Sequence, residues 1–158
     1  MPEDQMDIVA ELYKVTDALK VAAVDYAVCG GLAVAIHGRP SVTIDINLIV
    51  TATKIETAVA TVARVGFDID SGWVELPKND LGIERRYRLT KAEGTQFLTL
   101  DLLEADSETN PVFVAREIVA IGERQLTVLS RTALIEMKSR SKRTKDKLDI
   151  EMLQDESN

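Results

Sequence analysis

The sequence predicts an α/β (α+β) chain in which a small mixed β-sheet is flanked by helices, with further helices near the C-terminal end. Two observations carry this. Apolar residues recur at helical spacing in segments 7–22 and 55–63, whereas runs of branched aliphatics in 42–50 and 97–103 read as buried strands. Glycine, proline and asparagine collect between these segments, as turns require. At 158 residues, 46% hydrophobic and 28% charged, the chain is expected to form one domain over 1–158 that ends in a polar tail at 154–158.

Each element follows in order. Ile8, Leu12, Val15 and Leu19 mark the apolar stripe of a first helix. Residues 26–29 form a short strand that stops at a Gly30-Gly31 turn. Residues 32–37 make a short helix ended by Gly38 and Pro40. The clearest strand covers 42–50. Ile55, Val59, Val62 and Ala63 define a second amphipathic helix closed before Gly66, and a weak strand follows at 67–69. Gly72, Pro77, Asn79 and Gly82 make 71–82 a loop or irregular hairpin. Residues 84–89 and 96–103 are strands joined across 91–95, where Gly94 supplies the turn. Residues 117–120 and 125–129 form a hairpin over Gly122. Ser130 is placed to cap a helix running to about 142, and Thr144 to cap a last one over 145–153.

The composition excludes several classes of function. No apolar run approaches the ~20 residues of a membrane span, and the acidic start of the chain does not resemble a signal peptide. A lone cysteine, Cys29, allows no internal disulfide and reads as a buried thiol. A cytoplasmic location is therefore expected. A net charge of −7 argues against a protein built wholly around a nucleic-acid backbone. The charge is uneven, however: residues 138–147 hold six basic side chains and one acid, which leaves −12 for the remainder. That block suits a solvated helix face, a phosphate-binding edge or a nucleic-acid contact.

Asp45 and Asn47 stand at i and i+2, on one face of a strand whose intervening residues are apolar. Asp101 is a lone acid inside another apolar strand. Burying an aspartate is costly unless it is paired, hydrogen-bonded or bound to a cation, and hard cations favour such oxygen ligands. The spacing leaves two readings open. In one, Asp45, Asn47 and Asp101 form a metal site; in the other, the acids face water at strand ends or cap backbone amides.

The glycine pair followed by Thr43, Asp45-Ile46-Asn47 and a later Asp101 resembles the nucleotidyltransferase (polymerase-beta-like) superfamily. The stretch GGLAVAIHGRPSVTIDIN at 30–47 is similar to small bacterial AbiEii-type toxin nucleotidyltransferases. A second segment, with Leu134, Ile135, Met137, Lys138, Arg143, Lys145, Asp146, Asp149 and Ile150, matches the same proteins, so the resemblance spans most of the chain.

The resemblance implies a nucleotidyltransferase-like fold that binds an NTP and transfers its nucleotidyl group to a hydroxyl on a protein, an RNA or a small molecule. It implies Mg²⁺ or Mn²⁺ at Asp45, Asn47 and Asp101, with Asp101 also activating the attacking hydroxyl. Gly30 and Gly31 would bring amides to the triphosphate, and Arg39 and Thr43 would touch phosphate or sugar. Lys138, Arg143 and Lys145 would either face phosphates or pair with Asp146 and Asp149. An antitoxin-like partner is a further implication, and the lack of a membrane-length apolar run leads to the expectation of no association with membrane. His37 reads as structural, and Trp73 and Tyr87 as packing residues.

One position departs from the pattern. The family asks for a carboxylate where this chain has Asn47. An amide oxygen can ligate, but it brings no charge and bridges two cations poorly. The sequence therefore implies impaired transfer or, alternatively, a catalytically degenerate nucleotide-binding or regulatory module, such as one member of a toxin–antitoxin or phage-defence pair.

Overall fold

The structure, a computed structural model, describes residues 6–38, 45–139, 150, 153 and 154. Helix α1 (Ile8–Val21) starts where the Asp7 carboxylate accepts the amides of Val9 and Ala10, and it buries Leu12, Val15 and Leu19. Strand β1 (Ala27–Cys29) leads into α2 (Gly30–Ile36). Strand β2 (Asp45–Thr51) continues through a 3-10 turn at Ala52–Lys54 into α3 (Ile55–Ala63). Three strands follow: β3 (Ile69–Glu75), β4 (Arg85–Glu93) and β5 (Gln96–Ala105). A short α4 (Pro111–Val114) precedes the hairpin of β6 (Arg116–Ile121) and β7 (Arg124–Leu129). Helix α5 (Arg131–Lys138) is capped by the Ser130 hydroxyl, which accepts the amide of Ala133 at 3.2 Å.

Among the described residues the strands form one mixed sheet in the order β3-β4-β5-β2-β1-β7-β6. The pairs β2·β5 and β1·β7 are parallel and the others antiparallel. The central strands supply the core, with Ile46, Leu48, Val50, Leu100 and Leu102 fully buried. Helix α1 reaches one face of the sheet, where Glu11 is buried and accepts two bonds from Lys91 Nζ of β4, at 2.9 and 3.1 Å. Helix α3 packs against α1. Helix α2 starts on the opposite face and packs against α5.

Three local readings need correction. Helix α2 starts at Gly30, two residues earlier than read, and Gly30, with a φ of +68°, makes the turn out of β1. Segment 71–82 is the irregular hairpin of the two readings, but β3 runs on past the expected strand end at 69 to Glu75 and pairs with β4, shifted by a bulge between Asp70 and Gly72, and residues 76–84 connect the two strands. The alternation of exposed and partly buried side chains along β3 hides an edge strand from any apolar count. Helix α4 was not anticipated. It is set by Asn110, whose side chain accepts the amides of Val112 and Phe113 and so turns Phe113 into the core. Residues 42–44 of the expected strand, and most of the expected last helix, lie outside the described residues. Ile150, Leu153 and Gln154 are helical, and Leu153 is buried. Among the described residues, no helix is long and apolar enough to cross a membrane.

Candidate nucleotide site

The site begins with strand register. Strands β2 and β5 run parallel with Asn47 opposite Asp101 and Asp45 opposite Thr99, so all four side chains project from one face. Cys29 of β1 pairs with Asn47 from the other side and brings the start of α2 alongside. Gly30 has a φ of +68°, and a Cβ there would lie 2.8 Å from Asn47 Nδ2. Glycine is thus required twice, for the left-handed backbone and for the approach of Asn47. Asn47 Nδ2 in turn donates to Asp45 Oδ1 at 3.2 Å.

Asp101 is completely buried. Its charge is met by β4, the neighbouring antiparallel strand, where Arg88 pairs directly opposite. Arg88 donates from Nε to Oδ1 at 2.9 Å and from Nη2 to Oδ2 at 3.1 Å. This two-point fork is the strong form of an arginine–carboxylate contact. Arg86, two residues away on the same face, places its Nε 3.6 Å from Asp101 Oδ2. The bond to Asp101, reinforced by the charges of Asp101 and Asp45 against the opposing effect of burial, holds the Arg88 guanidinium above its ordinary range.

Lys138, in the last turn of α5, is buried. Burial pushes the Cys29 thiol far above its usual pKa; the Lys138 charge opposes this, and the charges of Asp101 and Asp45 add to it. One lysine and two carboxylates therefore act on a single sulfur at the centre of the site.

Of the residues read from the sequence, Asp45, Asn47, Asp101 and Gly30 come together, with Gly31 next in α2 and Lys138 nearby. Arg39, Thr43, Arg143 and Lys145 lie outside the described residues. His37 is held structurally, donating from Nε2 to the Leu129 carbonyl at 2.8 Å. Trp73 and Tyr87 belong to the opposite face of the sheet: Tyr87 pairs with Leu102, and the two rings meet edge to face at 5.2 Å.

Sequence reasoning missed Arg86 and Arg88. The signal was present in the β4–β5 hairpin. A two-residue turn at Gly94-Thr95 pairs Glu93 with Gln96 and, five rungs on, Arg88 with Asp101. A longer turn over 91–95 loses that register.

As placed, these residues do not fit a two-ion centre. Both Asp101 oxygens accept from arginine, Asn47 turns its amide nitrogen towards Asp45, and among the described residues only two carboxylates converge. Among the described residues, no group of three histidine, cysteine or acidic side chains is placed to hold a metal ion.

The fold is that of the nucleotidyltransferases. The lincosamide antibiotic adenylyltransferase LnuA, in its lincomycin-bound structure, superposes with a TM-score of 0.59 at 17% identity, covering 92% of this chain and 95% of that one. ANT(2'')-Ia in complex with adenylyl-2''-tobramycin gives 0.58 at 16% identity, with 95% and 89% covered. A Thermotoga maritima protein assigned to the nucleotidyltransferases gives 0.59 at 16% identity, with 99% of both chains covered. No protein-family model and no curated protein sequence matches the chain.

Proposed function

We propose that the protein binds a nucleoside triphosphate and transfers its nucleotidyl group to a hydroxyl acceptor, with turnover held low by Asn47. The reading rests on one observation above all: Asp45, Asn47 and Asp101 converge on one sheet face beside Gly30, in a fold shared with nucleotidyltransferases.

In this reading the triphosphate lies towards Gly30, Gly31 and Lys138, with Arg39, Thr43, Arg143 and Lys145 as further phosphate or sugar contacts. The acceptor hydroxyl attacks the α-phosphorus in line. The new O–P bond forms as the bond to the β-phosphate breaks, pyrophosphate leaves, and the hydroxyl proton passes to Asp101. Both Asp101 oxygens already accept from Arg88, so the proton competes there with the guanidinium fork. The missing carboxylate at 47 and the occupied carboxylate at 101 both point to slow chemistry. Two antibiotic adenylyltransferases of the same fold make a small-molecule hydroxyl the first acceptor class to test, ahead of protein and RNA.

The test joins NTP binding by calorimetry with nucleotidyl transfer from α-labelled NTPs in the presence of Mg²⁺. Asn47→Asp is expected to raise turnover by roughly 10²-fold, the scale of one positioned catalytic group. Absence of NTP binding, together with an Asn47→Asp variant that is equally silent, overturns the reading. NTP binding without turnover in either form turns it into the degenerate nucleotide-binding module.

A further inference from the structure

The charges around Asp45 and Asp101 are already balanced by the chain itself. Arg88 covers both oxygens of Asp101, and Arg86 approaches the same carboxylate. The Asn47 amide donates to Asp45. Lys138 is close enough for its charge to act on Cys29 alongside both carboxylates. Among the described residues, two carboxylates thus face three cations, a local sum of +1. A cluster of three free carboxylates would repel a triphosphate unless divalent ions stood between them; this site already has the sign that attracts one.

The two arginines are also built to reach a ligand. They sit at i and i+2 on β4 and share a face. Their side chains are 30% and 36% exposed, so each spans from the buried carboxylate towards solvent. Arg88 commits two of its five N–H groups to Asp101. Arg86 Nε is buried and makes no hydrogen bond. Planar guanidinium forks match pairs of phosphate oxygens, which a lysine ammonium does not.

We propose that Arg86 and Arg88 stand in for a divalent cation here and hold the α-phosphate end of a nucleoside triphosphate, whose far end lies towards Gly30, Gly31 and Lys138, so that NTP binding needs no metal. The proposal rests on the nucleotide-binding reading above and deepens it.

The experiment titrates the full chain with ATP, GTP, CTP and UTP in turn, by calorimetry, once in EDTA and once in excess Mg²⁺. At least one nucleotide is expected to bind with the same Kd, within about threefold, in both buffers. Arg86→Gln should weaken that binding by about tenfold or more in EDTA, the scale of a lost charged hydrogen bond. Arg88→Lys, which keeps the charge on Asp101 but loses the fork, should weaken it as well. Arg124→Gln, which removes an exposed arginine of β7 paired with Asp17 of α1, controls for bulk charge and should leave Kd unchanged. Circular dichroism of each variant checks the fold. Binding that appears only with Mg²⁺ overturns this proposal and leaves the functional reading standing. Equal affinity in Arg86→Gln and wild type also overturns it. Absence of binding in both buffers overturns the nucleotide reading itself.

Discussion

Gly30→Ala tests whether the site is assembled as described, because two separable costs meet at one atom. The first is conformational. At a φ of +68° an alanine incurs about 1–2 kcal/mol of left-handed strain, offset by roughly 0.4–1 kcal/mol because alanine restricts the unfolded chain. The second is steric. The added Cβ would stand 2.8 Å from Asn47 Nδ2 and 3.2 Å from Asn47 Cβ and Cγ, contacts that force a shift of the overpacking kind, about 1–3 kcal/mol. Asn47 cannot retreat freely, since its amide is bonded to Asp45. The single variant should therefore lose roughly 1–4.5 kcal/mol. Asn47→Ala removes Nδ2 and Cγ and leaves only the Cβ contact, so in that background Gly30→Ala should cost about 1 kcal/mol less or better. Urea unfolding of the four proteins of the cycle, followed by far-UV circular dichroism, measures the coupling directly. Additivity within about 0.5 kcal/mol would refute the claim that glycine is present for the sake of Asn47.

Two further predictions concern titratable groups. Burial raises the Cys29 thiol well above its ordinary value, so native protein at pH 8 should react with a thiol reagent about 10³-fold more slowly than urea-unfolded protein, through unfolding alone; rapid native labelling would contradict the packing around β1. The Glu108 carboxyl is held below its ordinary range, first by the Thr53 hydroxyl, then by its own backbone and by Thr51, against a small effect of burial. A lowered folded pKa stabilises the fold at pH above the ordinary carboxylate value, and that contribution disappears as pH falls through the lowered value. Thr53→Val should return the Glu108 titration, followed by NMR, towards ordinary; an unmoved midpoint would dismiss the contact.

The parts legible in the sequence are those decided by local pattern. Leu12, Val15 and Leu19 recur at helical spacing and are buried in α1, and the apolar runs of β2 and β5 form the centre of the sheet. Ser130 caps α5 as its side chain allows. What stayed hidden depends on pairing between distant segments. Nothing in the local sequence sets Asn47 opposite Asp101, because a parallel register is fixed by the elements that connect the strands and not by the strands themselves. Arg86 and Arg88 were hidden for another reason. Alternating arginines in a strand look like its solvent face, and only the register of the hairpin shows that one of them covers a buried acid.

That register changes the meaning of Asn47. Taken alone, an amide in place of a carboxylate looks like a defect in an otherwise intact metal site. Beside Arg88 it becomes half of a consistent pattern: one acid is absent, a second accepts a guanidinium fork, and the third accepts an amide N–H. Removing Arg88 strands a fully buried carboxylate, whereas removing Asp101 leaves a guanidinium that solvent still reaches. The Arg88–Asp101 contact is therefore unlike an exposed ion pair that drifts in and out with little consequence. Restoring a carboxylate at position 47 alone adds negative charge to a site whose other acids already have donors, and it leaves Arg88 in place. Asn47→Asp alone is thus expected to restore transfer only in part. Comparing Asn47→Asp with Asn47→Asp/Arg88→Lys at saturating NTP, where weakened nucleotide binding is overcome, separates a site limited by its missing acid from one limited by the arginine fork that covers Asp101.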